Sequence, residues 1–138
     1  MSGPVPGEIW VLGGSVLLVV AQVVLAAQLA NRQYGLRWAA SARDEQVPPP
    51  TALAGRAQRA LANLMETYPL FVAAVLAVAV TRRLDFWSLI GAHLYLWSRI
   101  AYLGLYLAGV PLIRSLVWNV ALLGILVVLA QLLAPGHA

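Results

Sequence analysis

Four long apolar stretches follow one another along this chain of 138 residues, at about residues 9–30, 52–80, 86–108 and 112–134. A helix needs roughly 20 apolar residues to cross the hydrocarbon core of a bilayer, so each stretch is long enough for one crossing. Only 10% of the residues are charged, whereas a soluble domain carries roughly a quarter. The sequence therefore excludes a soluble enzyme and predicts an all-α membrane protein with four transmembrane helices in an up-down bundle.

The connections between these stretches predict a single domain over residues 1–138. The longest connector, residues 31–51, is polar and includes prolines at 48–50, which cannot lie inside a helix. Thr51 is predicted to cap the second helix, because a threonine hydroxyl can accept a hydrogen bond from the first helical turn. The other connectors are short, which favours antiparallel neighbours.

All nine basic residues are arginines, and they give the chain a net charge of +4. Because basic residues concentrate on the cytoplasmic side of a membrane protein, their distribution predicts a cytoplasmic connector and both termini outside. They form no continuous basic face, so no nucleic-acid partner is predicted. The sequence shows no metal-ligating triad and no cysteine, so no metal site is predicted. The connector side holds Arg32, Arg37, Arg43, Arg56, Arg59 and Arg114, and the opposite side holds Arg82 and Arg83.

A polar stripe enters the membrane on the second helix. Arg56, Arg59, Asn63 and Glu66 are spaced three, four and three residues apart, so they share one helix face. A charge at the centre of a membrane helix costs at least about 2.5–3.5 kcal/mol, so such residues face the bundle interior or a hydrated cavity. The stripe indicates either a binding site or a network that holds helices together, with Arg56 as a cytoplasmic anchor.

A second stripe lies on the third helix, where Tyr95, Arg99, Tyr102 and Tyr106 fall within about 60° of arc. An arginine flanked by phenol hydroxyls is typical of a binding pocket, since the hydroxyls supply directional donors on an apolar wall. The alternative is an aromatic belt at the membrane interface, which suits Tyr95 best. His93 projects to the other side of the helix and is predicted to be a packing or interhelical hydrogen-bonding residue, not a catalyst.

Arg114 lies in the first turn of the fourth helix, three residues after Pro111. A cation there faces the positive end of the helix dipole, so it needs a compensating anion. Glu66 or a bound ligand could supply one, and ordinary anchoring on the cytoplasmic side is the alternative.

Small and polar residues inside the apolar stretches predict helix packing. Gly13, Gly14 and Gly104 are expected to permit close approach of neighbouring helices. Asn119 and Gln131 are isolated polar residues, which are expected to hydrogen-bond between helices.

The run RALANLMETYP at residues 59–69 resembles the signature of the MAPEG family, the membrane-associated proteins of eicosanoid and glutathione metabolism. Its pattern is Arg59, Asn63 and Glu66 followed by a proline. Arg99 followed seven residues later by Tyr106 is similar to the family's pattern on the third helix. The four-span layout and proline-rich first connector also match, so the resemblance covers nearly the whole chain.

The resemblance implies a homotrimer that holds glutathione, a co-substrate, between neighbouring subunits near the cytoplasmic face of a bacterial cytoplasmic membrane. Arg114 matches the arginine that points at the glutathione sulfur and is the implied catalytic residue. Arg32 would come from the adjoining subunit. The implied glutathione-binding residues are Arg32, Arg59, Asn63, Glu66, Arg99, Tyr102 and Tyr106.

The chemistry expected of Arg114 is activation of the glutathione thiol. A free thiol has a pKa near 8.5, and lowering that pKa to about 6.5 takes roughly 2.7 kcal/mol of preferential stabilisation of the thiolate. A partly desolvated guanidinium can supply this stabilisation. The thiolate would then attack a lipophilic electrophile arriving from the membrane lipid.

Two positions depart from the family pattern: Leu61 stands where better-known members have His or Gln, and Thr67 where some have Tyr. The family also includes a non-enzymatic member that presents a lipid, so resemblance alone does not establish activity. A lipid-binding or lipid-presenting protein and an accessory subunit of a larger membrane complex therefore stay open as alternatives to a glutathione transferase or peroxidase.

Overall fold

The computed structural model describes residues 3–134, over which the chain forms helices and no strand. Residues 1–2 and 135–138, the two ends of the predicted domain, lie outside the described residues. The helices are α1 (Gly7–Tyr34), α2 (Leu36–Ala40), α3 (Ala52–Val80), α4 (Phe86–Ala108) and α5 (Leu112–Ala130).

Within the described residues, three helices are long and apolar enough to cross a membrane: α1, α3 and α5. The helix α4 has 23 residues, which is long enough. Its residues include His93, Ser98 and Arg99, and no stretch of α4 reaches the mean hydropathy of the most apolar stretches of α1, α3 and α5. The chain is thus an all-helical membrane protein, and the fourth crossing stays a prediction.

The helix bounds coincide with the predicted spans at α3 and α4 and differ elsewhere. The helix α1 begins at Gly7 and continues to Tyr34, inside the predicted connector, which also contains the short α2. The helix α5 ends at Ala130, before the predicted end of the fourth span. Hydropathy indicates where the membrane boundary lies, whereas the end of a helix depends on local backbone geometry. Gly35, directly after α1, has a φ of +85°, which ends that helix.

Side-chain caps begin α3 and α4, the two long helices that carry the polar stripes. The Thr51 hydroxyl accepts a hydrogen bond from the Ala54 N–H at 3.4 Å, which confirms the predicted N-cap of α3. Asp85 and Ser88 form a reciprocal capping box at the start of α4, with both hydrogen bonds at 2.8 Å. These caps fix where the functional faces of α3 and α4 begin.

The apolar core occupies the half of the bundle away from the long connector. Phe71, Val75 and Val78 of α3 pack there with Tyr95 of α4 and Val128 of α5. All five side chains are fully buried. The apolar second half of α3 therefore holds the bundle together, and its polar first half is free to form a site.

The helices α4 and α5 approach each other closely at Gly91 and Gly124. A Cβ placed on Gly91 would lie 2.7 Å from the carbonyl oxygen of Gly124. The expectation that Gly13, Gly14 and Gly104 provide close approach is wrong within this chain. Among the described residues nothing lies within 4 Å of a Cβ placed on Gly13 or Gly104, and a Cβ on Gly14 would make only an ordinary contact, at 3.6 Å.

The two isolated polar residues of α5 bond to their own helix. Asn119 donates to the Ser115 carbonyl at 2.9 Å, and Gln131 donates to the Val127 carbonyl at 3.2 Å. The expectation of interhelical bonds at Asn119 and Gln131 is therefore wrong. An amide side chain that reaches back one turn satisfies its donor without a partner helix.

Candidate ligand-binding hollow

A hollow of about 260 Å³ opens where α3, α4 and α5 meet, in the polar half of the bundle. We call it the polar hollow. Its wall comprises Asn63 of α3, Tyr102 of α4, and Arg114, Ser115 and Trp118 of α5. The structure thus brings three of the residues singled out in the sequence to one surface from three different helices.

Two hydrogen bonds set the register of α3 against α4 beside the polar hollow. Arg99 donates from Nη1 to Oδ1 of Asn63 at 3.0 Å. One turn deeper, the hydroxyls of Thr67 and Tyr95 share a hydrogen bond of 3.2 Å. Each pair lies four residues from the other along both antiparallel helices, so the two bonds support the same alignment.

Arg99 lies behind the wall of the polar hollow rather than on it. Its side chain is 1% exposed, and its guanidinium carbon lies 4.6 Å from the centre of the Tyr102 ring. Its Nε and Nη2 atoms have no hydrogen-bond partner among residues 3–134. The two neighbours of this guanidinium, Asn63 and Tyr102, are themselves wall residues.

Arg114 lies over an aromatic pair. Its guanidinium carbon is 4.4 Å from the centre of the Tyr106 ring, a cation–π distance. The rings of Tyr106 and Tyr102 meet edge to face, with centroids 5.5 Å apart. Glu66, one of the anions expected for Arg114, instead accepts a long hydrogen bond of 3.5 Å from Nδ2 of Asn63.

Three predicted ligand residues lie on the outer surface of the chain: Arg32, Arg59 and Glu66. Arg59 folds back over its own helix, and a Cβ placed on Gly55 would lie 3.1 Å from its Nη1. Arg32 lines a separate hollow of about 420 Å³ with Gln28 and Asn31. One chain therefore assembles Asn63, Arg99, Tyr102, Tyr106 and Arg114, and does not bring Arg32 or Arg59 to the polar hollow.

Tyr95 is a core residue, so the alternative of an interfacial aromatic belt does not hold for it. The side chain is fully buried, and its ring stacks on Phe71 with centroids 4.1 Å apart. The reason is helical periodicity: Tyr95 shares the inward face of α4 with Arg99 and must follow it into the bundle.

Arg56 does more than the membrane anchoring that we expected. Its Nη1 donates to the carbonyl of Leu107 at 3.2 Å, near the end of α4. The last carbonyls of a helix have no intrahelical partner and carry partial negative charge, which a cation offsets. His93 lies on the exposed face of α4 and accepts a hydrogen bond of 3.3 Å from Trp97.

The sequence analysis missed two wall residues, Ser115 and Trp118. Trp118 lies four residues after Arg114, so it shares that residue's helix face, and this spacing was the available signal. Its indole Nε1 is buried with no partner among the described residues. Ser115 directly follows Arg114, a position that no periodicity singles out.

The wall of the polar hollow presents mainly hydrogen-bond donors. Guanidinium and indole groups only donate, whereas amide and hydroxyl groups can do both. The oxygen of Asn63 accepts from Arg99, and one amide N–H makes the long bond to Glu66, which leaves the other N–H for a ligand. The donor set therefore suits a ligand with carboxylate or carbonyl oxygens and a negative charge.

Comparison with known proteins gives one match. A family model described as the MAPEG family matches residues 11–134, which is nearly the whole chain. No curated protein and no solved structure matches the sequence.

Proposed function

The chain belongs to the MAPEG family, and we propose that it is a membrane glutathione transferase, or a glutathione-dependent peroxidase, that acts on lipophilic substrates. One observation carries the proposal: Asn63, Tyr102 and Arg114 converge on the polar hollow from three helices. A membrane bundle that needed only packing would fill this place with apolar side chains at lower cost.

Glutathione fits the chemistry of this donor set. It has two carboxylates and two peptide carbonyls, which are acceptors for the Asn63 amide, the Tyr102 hydroxyl and the Arg114 guanidinium. When bound, it supplies the thiol that becomes the nucleophile. The residues proposed to hold it are those named from the sequence except Arg99, which stands behind the wall, with Ser115 and Trp118 added from the wall of the hollow.

Arg114 is proposed to stabilise the thiolate. Its guanidinium rests on the Tyr106 ring, which leaves its N–H edges for an anion. Charge-assisted hydrogen bonds strengthen where water is excluded, so a half-buried arginine is suited to this role. Leu112 and Leu116 are exposed beside it on α5, and they offer an apolar approach for a substrate arriving from the bilayer.

We also propose that α4 is the fourth membrane crossing. Its polar side chains Ser88, Ser98 and Arg99 are buried inside the bundle. Its outer face instead exposes large side chains such as Trp97 and Ile100. A hydropathy average does not distinguish inward from outward residues, and so it underrates a helix with one polar, enclosed face.

The assembly proposed is a homotrimer, as the family resemblance implies. Arg59 and Glu66 are exposed on α3, a helix apolar enough to cross a membrane. Charges on a lipid-facing surface are costly, so a neighbouring copy covering this face would stabilise it. The separate position of Arg32 agrees with its proposed contribution to the site of an adjoining subunit.

The proposed location is a bacterial cytoplasmic membrane, with the polar hollow near the cytoplasmic face and both termini outside. The arginine-rich connector joins α1 to α3 at the end of the bundle where the polar hollow lies. Six of the nine arginines stand on this side of the proposed topology.

A second candidate function is lipid binding without catalysis. An apolar hollow of about 340 Å³ lies at the end of α5, lined by Leu126, Leu129, Ala130, Leu132 and Leu133. Such a surface suits an acyl chain and does not use the polar hollow. This candidate predicts a lipid that stays bound through purification and is displaced by no thiol.

Calorimetric titration of the detergent-purified protein with reduced glutathione tests the proposal, combined with ultraviolet detection of thiolate. We expect saturable binding and thiolate below the pKa of the free thiol, with the thiolate lost in Arg114→Gln. Arg82→Gln, the same change at the exposed far end of the bundle, is the matched control. Absence of binding at millimolar glutathione would refute the transferase and peroxidase proposal. Binding without thiolate would refute the role of Arg114.

A further inference from the structure

Among residues 3–134, Arg99 is the largest fully buried side chain, and it is charged. Within this part of the chain its one side-chain hydrogen bond, at 3.0 Å, goes to Asn63, and its one cation–π contact goes to Tyr102. Both partners line the polar hollow, whereas Arg99 itself stands behind them. The guanidinium therefore acts on the hollow through two intermediaries.

Burying this charge is expensive, and its local partners satisfy only part of the guanidinium. A buried ion is often replaced by a well-packed apolar side chain without loss of stability. Packing against α3 therefore does not by itself explain why this position has a guanidinium. An apolar side chain could fill the same space, but it could not donate a hydrogen bond to the Asn63 oxygen.

The orientation of the Asn63 amide depends on that hydrogen bond. An asparagine side chain has an acceptor end and a donor end, and rotation by half a turn exchanges them. An arginine only donates, so Arg99 fixes Oδ1 of Asn63 inward. Nδ2 is then turned away from Arg99, as its long contact of 3.5 Å with Glu66 shows.

Building on the proposed function, we propose that Arg99 is a positioning residue that holds the Asn63 amide with an N–H available to the ligand. It does not touch glutathione itself. The consequence is a preference for an acceptor, a carboxylate or a peptide carbonyl, at the position beside Asn63. The Thr67–Tyr95 bond one turn deeper keeps the two helices in the alignment that this contact needs.

The orientation of the Asn63 amide has a readout that needs no ligand. The chain contains three asparagines, Asn31, Asn63 and Asn119, so a protein labelled with ¹⁵N-asparagine gives three side-chain amide pairs, and Asn63→Ala identifies one of them. In Arg99→Met we expect the Asn63 pair to shift and to exchange with water on the order of tenfold faster. Asn31 and Asn119 should be unaffected, as should all three in the control Arg82→Met.

The second readout is glutathione affinity in a double-mutant cycle. Arg99→Met and Asn63→Ala should each weaken binding by about tenfold, and the double variant should bind no more weakly than Asn63→Ala alone. The melting temperature of Arg99→Met should stay near that of the wild type, because methionine fills the same space. A structural role would instead lower melting temperature and affinity together.

Two results would overturn the proposal: an unchanged Asn63 amide signal in Arg99→Met, or losses of affinity that multiply in the double variant, which indicate direct contact by Arg99. If Arg99→Met does not fold, Arg99→Leu, which also removes the donor to Asn63, replaces it, with the same signals measured. If the wild type binds no glutathione, the proposed function fails, and the amide signals alone still decide whether Arg99 positions Asn63.

Discussion

Gly91 and Gly124 lie against each other across the α4–α5 interface, each occupying space that the other's side chain would need. A Cβ on either residue would lie 2.7 Å from the carbonyl oxygen of the other. The two helices that meet here also carry Tyr102 and Arg114, both on the wall of the polar hollow. The glycine pair therefore allows the close approach of two helices that build this wall.

Gly91→Ala should lower stability, because backbone atoms rather than flexible side chains would meet the new methyl group. Overpacking of this kind costs about 1–3 kcal/mol. The separation of α4 and α5 should also weaken glutathione binding. The matched control is Gly104→Ala on the same helix, where no atom lies within 4 Å of the added Cβ among the described residues. Thermal unfolding in detergent gives the melting temperatures of the two variants. Equal melting temperatures for Gly91→Ala and Gly104→Ala would contradict the prediction.

The Thr67–Tyr95 hydrogen bond provides a second prediction. Both residues are buried, so Thr67→Val should leave the Tyr95 hydroxyl without its partner and cost about 1–3 kcal/mol. The double variant Thr67→Val with Tyr95→Phe removes both polar atoms and should recover much of that loss. Melting temperatures of the two single variants and the double variant give the coupling. Additive losses would show that the two hydroxyls do not depend on each other.

Part of the polar hollow could be predicted from the sequence, because helical spacing includes Asn63 in the polar stripe of α3 and Tyr102 in the stripe of α4, and both line the hollow. Helical spacing does not show how deep in the bundle a residue lies, however. The sequence predicts that Arg99 contacts the ligand, whereas in the structure it stands behind the wall residues. Packing determines which side of a neighbouring helix a residue meets.

Helix packing was predicted least well. Gly91 and Gly124 do not stand out among the 11 glycines of the sequence, because only the tertiary structure shows which glycines face one another. The lower hydropathy of α4, compared with α1, α3 and α5, is likewise explained only by the tertiary structure. The fold turns Ser88, Ser98 and Arg99 of this helix into the bundle, which the sequence alone does not show.

At the end of the bundle away from the polar hollow, a buried carboxylate connects α1 to α4, and this contact gives a third prediction. Ser88 of the capping box donates to Glu8 of α1, and both side chains are buried. Ser88→Ala should cost about 1–3 kcal/mol, since it leaves a buried carboxylate without this donor. Glutathione binding at the other end should not change.

Ser41→Ala is the matched control for Ser88→Ala. The Ser41 hydroxyl also bonds to nearby backbone, at 2.7 Å to the carbonyl of Trp38, but it is exposed to solvent. Ser41→Ala should change the free energy of unfolding by no more than about 0.5 kcal/mol. If the two serine variants lose the same stability, the Glu8 contact contributes nothing.

The role of Arg114 predicts how glutathione affinity depends on pH. If the guanidinium stabilises the thiolate, the pKa of the bound thiol lies below that of the free thiol, near 8.5. Binding then releases a proton in the interval between the two pKa values. Affinity should therefore rise with pH through that interval and become constant above about 8.5.

In Arg114→Gln the bound and free thiols should have similar pKa values, so the dependence of affinity on pH should flatten. Arg114→Lys keeps the charge but loses the flat guanidinium that rests on Tyr106, and should show an intermediate slope. Titration calorimetry across neutral and alkaline pH gives the slopes. Parallel curves for the wild type and Arg114→Gln would mean that the charge of Arg114 does not act on the sulfur, whatever its effect on affinity.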